Sequence, residues 1–215
     1  MTSDAAAAPA TYGLILAGGL ARRMGGGDKT LIRVGEQTIL ERTMARLGAQ
    51  CAGLLINANG DVSRFSRFGL PVVADDIKGF AGPLAGILAG LDWVAANAPA
   101  IAWVVSVPGD CPFLPGDLVE RLHGARSAQQ HPLACARSGE WRHPVVALWP
   151  VALREDLRRA LTVESLHKIE IWTARHGIAI ADWPAEPVDP FFNVNTPDDA
   201  ARAEALAAAY DTSEA

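Results

Sequence analysis

Short apolar runs alternate with segments of helical period along almost the whole of this 215-residue chain. Apolar runs at 12–17 (YGLILA), 101–110 (IAWVVSVPGD) and 143–149 (HPVVALW) predict strands, and the run at 101–110 is of the kind buried on both faces of a parallel sheet. Segments 39–49 (ILERTMARLGA) and 83–97 (PLAGILAGLDWVAAN) predict helices. Because such alternation produces βαβ units, the sequence predicts an α/β protein with a doubly wound sheet.

The remaining segments continue this pattern and indicate a single domain. Strands are expected within 53–59, 71–76, 132–137 and 191–195, and helices within 114–126, 151–161, 164–177 and from near Pro197 onward. The sequence has no internal repeat and no long linker, which predicts one domain over residues 11–209. The Ala- and Pro-rich start, residues 1–10, predicts a short disordered arm.

Composition and charge exclude several classes of function. The 19 basic and 24 acidic residues give a net charge of −5, which does not favour nucleic acid or an anionic membrane as partner. No apolar run approaches the roughly eighteen residues of a membrane span, and the start lacks the features of a signal peptide, so we expect a cytoplasmic protein. Cys51, Cys111 and Cys135 have no metal-binding spacing and are expected to be reduced, small buried residues.

The segment after the first predicted strand, 16–30 (LAGGLARRMGGGDKT), combines five glycines with Arg22, Arg23 and Lys29. A Walker A loop requires glycine directly before its lysine, and a dinucleotide-binding fingerprint requires glycine where Thr30 stands, so neither motif fits. Glycine backbones and basic side chains together still suit a polyphosphate. The alternative is a solvated loop that happens to be basic.

These motifs resemble those of the molybdenum cofactor guanylyltransferase family. The pattern LAGG-x-x-RRMGG-x-DK is matched at every fixed position by residues 16–29. Further matches follow in order along nearly the whole chain: INAN (56–59), VVADD (72–76), GPLAG (82–86), PGDCPFLP (108–115), HPVVAL (143–148) and FFNVNTPDD (191–199). The resemblance implies a Rossmann-like, doubly wound and mostly parallel sheet in three layers, as in other nucleotidyltransferases.

This resemblance also implies a reaction, in which GMP is transferred from GTP to the terminal phosphate of molybdopterin and pyrophosphate is released. It places Asp110 as the ligand of Mg²⁺, the expected cofactor, and a carboxylate is a hard oxygen donor suited to that ion. It places Arg23 and Lys29 on the phosphates. We expect both basic side chains at the mouth of the cleft, outside the core.

On the nucleotide side, the resemblance implies contacts from the main chain after the first strand and from two polar side chains. The residues concerned are Leu16, Ala17, Gly18, Gly19, Asn57 and Asp75. Without the resemblance, Asn57 would be interpreted as a turn residue and Asp75 as a turn or capping residue. Guanine has donors at N1 and N2 and an acceptor at O6, which backbone groups and an amide can complement.

Asn193 and Asn195 resemble residues that lie near the acceptor or the reacting phosphates; their alternative role is to cap the final helix. His143 is expected to be structural or to face the acceptor. Leu166-His167-Lys168 stands where relatives often carry a basic pair, which leaves open how the pterin is held. Molybdenum-insertion proteins and molybdoenzyme chaperones are further partners compatible with the resemblance.

Two alternatives to this function remain open from the sequence. One is a cytidylyltransferase for the same cofactor, or another small nucleotidyltransferase of the same fold; such relatives typically have LAAG where this chain has Gly18-Gly19 after Ala17. The other is a non-catalytic nucleotide-binding adaptor. The presence of Lys29 and Asp110 favours an enzyme.

Overall fold

Seven strands form a central sheet in the computed structural model, which describes residues 8–18, 29–77 and 82–211. The strands of this sheet are β1 (Thr11–Leu16), β4 (Gly53–Asn57), β5 (Val72–Val73), β6 (Trp103–Pro108), β7 (Leu133–Ser138), β8 (Trp141–Pro150) and β9 (Ile178–Trp183). Their spatial order is β5-β4-β1-β6-β8-β7-β9, and β8 runs antiparallel to both of its neighbours while the other pairings are parallel. The predicted α/β fold with a mostly parallel sheet is therefore confirmed.

Helices cover both faces of this sheet. They are α1 (Ile39–Gly48), α2 (Pro83–Asn97), α3 (Leu118–Gln129), α4 (Arg154–Thr162), α5 (Ile169–His176) and α6 (Pro197–Asp211). Successive strand residues point to opposite faces, so the fully buried Ile15 packs with α1 and α3, whereas Leu14 beside it packs with α2, α4 and α5. The result is the expected three-layer arrangement. Within the described ranges, no helix is long and apolar enough to cross a membrane.

Helix starts follow recognisable local signals. Thr38 caps α1 in a capping box, in which its side chain accepts from the Glu41 N–H and the Glu41 carboxylate accepts from the Thr38 N–H. Pro83 occupies the first turn of α2, where its missing N–H has no intrahelical partner to lose. The boundaries of α2 agree with the predicted 83–97.

Four local features differ from what the sequence predicts. Strand β9 (Ile178–Trp183) was not predicted, and the helix predicted over 164–177 begins only at Ile169. The strand predicted at 191–195 is wrong: Val194 donates a single hydrogen bond to the Asp110 carbonyl at 3.1 Å, and the segment joins no strand ladder. A small antiparallel pair, β2 (Arg33–Val34) with β3 (Gln37–Thr38), was also not predicted. Residues 1–7 of the predicted arm lie outside the described ranges.

The strand order reverses beside β1, which determines where a ligand can bind. The next strand of this sheet along the chain, β4, lies on one side of β1, and β6 lies on its other side. In open parallel sheets such a reversal leaves a crevice beyond the carboxyl ends of the strands. At that edge Leu16 is opposite both Asn57 of β4 and Pro108 of β6.

Candidate active site

Lys29, Asp110 and Asn195 meet in this crevice, although they are far apart in the sequence. The Lys29 ammonium group donates hydrogen bonds to Asp110 Oδ2 and, at 2.8 Å, to Asn195 Oδ1. Asp110 is 5% exposed and the Lys29 side chain 19% exposed, so the ion pair is shielded from water and its attraction is strengthened. Lys29 lies outside the hydrophobic core, as expected, but its side chain is largely shielded from water. One cationic atom lies between a carboxylate oxygen and an amide oxygen.

The position of Asn195 is fixed by the start of α6. Its backbone N–H donates to Asp199 Oδ2 at 3.0 Å, and the Thr196 N–H donates to the same oxygen at 2.9 Å. Asp199 N–H in turn donates to Thr196 Oγ1 at 3.1 Å, which completes a capping arrangement. Thr196 and Asp199 therefore cap this helix, and the Asn195 side chain is left to face Lys29.

Asn193 is held by a buried thiol. Cys111 follows Asp110 directly and donates its S–H to Asn193 Oδ1. Burial, reinforced by the negative charge of Asp110, raises the pKa of the Cys111 thiol well above its ordinary value. The thiol therefore stays protonated at neutral pH and acts as a donor. Sequence reasoning had treated Cys111 only as a small buried residue, and no motif indicated its hydrogen bond to Asn193.

A second cluster lies at the carboxyl ends of β4 and β5. The Asn57 amide donates to Asp75 Oδ1 at 2.9 Å, and the Asn59 amide donates to Asp75 Oδ2 at 2.8 Å. Asn59 Oδ1 also accepts from the Asp75 N–H at 2.9 Å. The two predicted residues Asn57 and Asp75 are thus in direct contact. Asn59 was missed, although its spacing of two from Asn57 places both on one side of an extended segment.

The main chain at the end of β1 lies between these two clusters. Ala17 N–H donates to the Asn57 carbonyl at 2.8 Å, and Gly109 N–H donates to the Leu16 carbonyl at 3.0 Å. Ala17 is buried and Gly18 is exposed, so the chain turns outward at this point. The predicted site residues Gly19 and Arg23 lie outside the described ranges, as does Arg22.

His143, expected to be structural or to face the acceptor, packs against the segment that carries the asparagines. Its ring centroid is 4.8 Å from that of Phe191, and Nε2 is 2.7 Å from Ser138 Oγ. Burial lowers the pKa of the His143 imidazole, so the ring is neutral at neutral pH. These contacts favour a structural role for His143.

Acidic residues, histidines and cysteines in the described ranges form no group of three or more that could hold a metal ion by themselves. Among these described residues, Asp110 is the carboxylate that would hold a divalent cation in this crevice, with amide, water or phosphate oxygens completing the coordination. Mg²⁺ commonly binds in this way, through one or two carboxylates and substrate phosphates.

Comparison with known proteins places the chain among nucleotidyltransferases. Residues 13–177 match the model of the MobA-like NTP transferase domain. A relative named molybdenum cofactor guanylyltransferase, from Nitrobacter hamburgensis, is 59% identical over 200 residues, covering 93% of this chain and 96% of the relative.

Solved structures share the fold at low sequence identity. The molybdopterin-guanine dinucleotide biosynthesis protein A of Archaeoglobus fulgidus superimposes with a TM-score of 0.70 at 22% identity, covering 92% of this chain and 98% of that one. A Mycobacterium tuberculosis protein solved in complex with manganese superimposes with a TM-score of 0.64 at 20% identity, covering 92% and 99%.

Proposed function

Because the chain belongs to the MobA-like NTP transferase family, we propose that it transfers GMP from GTP to the terminal phosphate of molybdopterin. An oxygen of the acceptor phosphate attacks the α-phosphorus of GTP, the bond from that phosphorus to the bridging oxygen of the β-phosphate breaks, and pyrophosphate leaves. The observation that carries the proposal is the cluster of Lys29, Asp110 and Asn195 in the crevice between β1 and β6.

Lys29 is the cation that holds the triphosphate in this proposal. Phosphoryl transfer depends mainly on positioning and on neutralising charge at the phosphate oxygens. A phosphate oxygen entering the crevice competes with Asp110 and Asn195 for the three donor hydrogens of the ammonium group. Arg23, predicted for the same role, would add a second cation from the glycine-rich segment.

The donor set fits a divalent cation. Asp110 Oδ2 and Asn195 Oδ1 both face one cationic atom, the Lys29 nitrogen. Hard oxygens that converge in this way suit Mg²⁺. Asp110 would hold the ion with the phosphates, and Asn195 lies beside it. When bound, Mg²⁺ would neutralise charge on the phosphates and orient them for displacement.

No residue of the chain has to act as a covalent nucleophile, because the acceptor phosphate supplies the attacking oxygen. Cys111, the nearest thiol, is protonated and hydrogen-bonded to Asn193. Asn193 in turn is exposed and hydrogen-bonded to the residue that follows Asp110, which supports assigning its amide N–H groups to the acceptor phosphate.

Base recognition is assigned to the other cluster. The main chain of Leu16, Ala17 and Gly18 forms one side of the pocket, and Asn57 with Asp75 forms the other. The Asp75 carboxylate can accept from guanine N1–H and N2–H, since each carboxylate oxygen has lone pairs beyond the one used by an asparagine. Cytosine offers one donor group, its N4 amino group, where guanine offers N1–H and the N2 amino group side by side, so cytosine leaves one of these acceptors unpaired.

The decisive experiment incubates the purified protein with molybdopterin, Mg²⁺ and either GTP or CTP, and identifies the product by mass. We expect the guanine dinucleotide with GTP and much less product with CTP, since unpaired polar groups in a matched pocket are penalised strongly. Comparable catalytic efficiency with CTP would favour a cytidylyltransferase. Binding of GTP without any dinucleotide product would favour a non-catalytic adaptor.

A further inference from the structure

Asp75 lies on a short loop that is held from more than one direction. Both of its carboxylate oxygens accept from asparagine amides, one from Asn57 and the other from Asn59. Asn57 is buried at the end of β4, whereas Asn59 is exposed. These bonds fix the Asp75 side chain relative to β4 but leave the far side of the loop, at Asp76, dependent on another element.

That element is helix α4. Arg158 donates from Nη1 to Asp76 Oδ2 at 3.0 Å and from Nη2 to Asp92 Oδ2 on α2. Each carboxylate thus has its own nitrogen of the planar guanidinium group, a geometry that lysine cannot reproduce. The Arg158 side chain is 34% exposed, that of Asp92 28% and that of Asp76 53%, so the contact with Asp92 is better shielded from water than the contact with Asp76.

The same helix α2 also supports Asn57. A side chain at Gly86 would collide with Asn57 Oδ1, so α2 and the Asn57 amide approach as closely as glycine permits. Arg158 therefore ties the Asp76 loop to the helix that packs on Asn57. Helix α2 therefore supports both Asn57, by direct packing, and the loop that carries Asp75, through Arg158.

We propose that Arg158 is a positioning residue for guanine recognition: through Asp76 it fixes the loop on which Asp75 meets the base, and so contributes to the preference for GTP. Adjacent α-carbons are about 3.8 Å apart, so a shift of the Asp76 anchor moves Asp75 as well. This inference rests on the proposed assignment of Asp75 to the base.

The test separates the contact between Arg158 and Asp76 from the contribution of Arg158 to the stability of the helices. Asp76→Ala removes that contact and leaves the pair between Arg158 and Asp92 intact. Arg158→Leu removes both contacts and leaves Asp92, whose pKa is already raised by burial, without its nearest cation. Arg158→Lys should restore one contact. Arg159→Leu is the matched control, because the neighbouring Arg159 is 73% exposed and pairs with Glu164 at 3.6 Å.

The readout is the ratio of Kd values for GTP and ITP, measured by calorimetry, together with kcat and KM for GTP. ITP differs from GTP only in lacking the N2 amino group, so this ratio reports on the Asp75 contact. We expect Asp76→Ala and Arg158→Leu to weaken GTP binding roughly three- to tenfold, with ITP affected less and kcat nearly unchanged. Arg158→Lys should be intermediate, and Arg159→Leu should match the wild type.

An unchanged ratio in both Asp76→Ala and Arg158→Leu would overturn the positioning role, and so would a loss confined to kcat. A general loss of folding would weaken GTP and ITP binding alike, and that result also counts against it. These outcomes are distinct from failure of the proposed function, in which the wild type binds GTP selectively but forms no dinucleotide with molybdopterin.

Discussion

The two clusters at the carboxyl edge of the sheet are built differently. Around Asp110 a carboxylate is paired with an ammonium group, and both are largely buried. Around Asp75 the carboxylate receives neutral amides and lies on a partly exposed loop. The first arrangement provides charge, which every nucleoside triphosphate requires. The second provides directed hydrogen bonds, which distinguish one base from another. The proposed division is therefore that changes at Asp110 and Lys29 affect kcat, whereas changes at Asp75 affect selectivity.

The largest effect on turnover is expected for Asp110→Asn. A neutral amide is a much poorer ligand for Mg²⁺ than a carboxylate. We expect kcat to fall about a hundredfold or more, equivalent to ~2.7 kcal/mol in the activation free energy. Steady-state kinetics at low Mg²⁺ measures this, and near-normal turnover there would remove Asp110 from the mechanism.

The chain contains its own control for that variant. Pro115-Gly116-Asp117 repeats the tripeptide Pro108-Gly109-Asp110, but the Asp117 side chain is 48% exposed and accepts from Trp183 Nε1 at 2.9 Å. Asp117→Asn keeps an acceptor for that indole and should retain normal turnover. A similar loss in both variants would mean that the effect is structural.

A smaller kinetic effect, combined with a loss of stability, is expected for Lys29→Ala. Loss of charge-assisted hydrogen bonds of roughly 1.5–3 kcal/mol lowers kcat about ten- to a hundredfold. The largely buried Asp110 is also left without its cation, so the melting temperature should fall. A lysine at the mouth of the cleft and outside the core, as expected from the sequence, would instead predict nearly unchanged stability.

The double variant Lys29→Ala/Asp110→Asn tests this explanation. It contains no unpaired buried carboxylate, so it should melt at a higher temperature than Lys29→Ala alone. Arg67→Ala is the comparison for an exposed pair, because Arg67 is 55% exposed and lies 3.6 Å from Glu41. Equal melting temperatures for Lys29→Ala and the double variant would contradict the explanation that the unpaired Asp110 carboxylate causes the loss of stability.

At the second cluster, Asp75→Asn should change selectivity more than rate. The amide at this position offers one acceptor where the carboxylate offers two, so we expect KM for GTP to rise roughly tenfold with kcat little changed. Competition between GTP and ITP checks the base contact directly. Asp61→Asn, which alters an exposed carboxylate beside the same strand end, should leave both parameters unchanged. A loss of kcat equal to that of Asp110→Asn would contradict the proposal that Asp75 affects selectivity and Asp110 affects kcat.

The sequence predicts strands that consist of a continuous apolar run. It does not predict strands that lack such a run or that directly follow a helix. The apolar run ending at Pro108 is buried along most of its length, and its continuous apolar sequence predicts a strand. Strand β9 (Ile178–Trp183) contains the exposed Asp182 and follows α5 after only Gly177, so the helical signal before it obscured its start. The segment 191–195 looks like a strand because it is apolar and short, but its backbone makes isolated hydrogen bonds.

The sequence indicates candidate site residues one at a time, but it does not indicate which of them are paired. Asp110 stands out because it follows a buried strand, and this is what separates it from Asp117 in the identical tripeptide. The bond from Lys29 to Asn195 joins segments 166 positions apart, and only the folded sheet brings them together. Local spacing carries no information about such a contact. Asn59 and Cys111 were missed for the related reason that each acts by orienting another polar side chain.

The smallest effect on activity is expected for a change near the start of β1, at the end of the strands opposite the crevice. His123 lies 4% exposed near the start of β1, where its Nε2 is 2.8 Å from Thr11 Oγ1. Because Thr11 Oγ1 donates its own hydrogen to the Pro9 carbonyl at 2.8 Å, the imidazole carries its proton on Nε2. Burial, reinforced by the nearby Arg126 charge, lowers the pKa of His123 to about 4.

This shift predicts a specific pH dependence of stability. The unfolded chain binds a proton at His123 near pH 6.5, but the folded protein does so only near pH 4, so this contribution to stability is complete above pH 6.5 and is lost as the pH falls to 4. The loss amounts to about 3 kcal/mol in the free energy of unfolding. Urea unfolding measures the free energy of unfolding at pH 7 and at pH 4.5. Between these pH values it should decrease less for His123→Phe than for the wild type, whereas His167→Gln, a change at an exposed site, should follow the wild type.

The phenyl ring of His123→Phe can keep the edge-on contact with Trp103, whose centroid is 5.4 Å from that of the imidazole. Because β1 separates His123 from the crevice by roughly 17 Å, GTP turnover at pH 7 should be unchanged. A decrease as large as that of the wild type would mean that other groups account for the acid sensitivity.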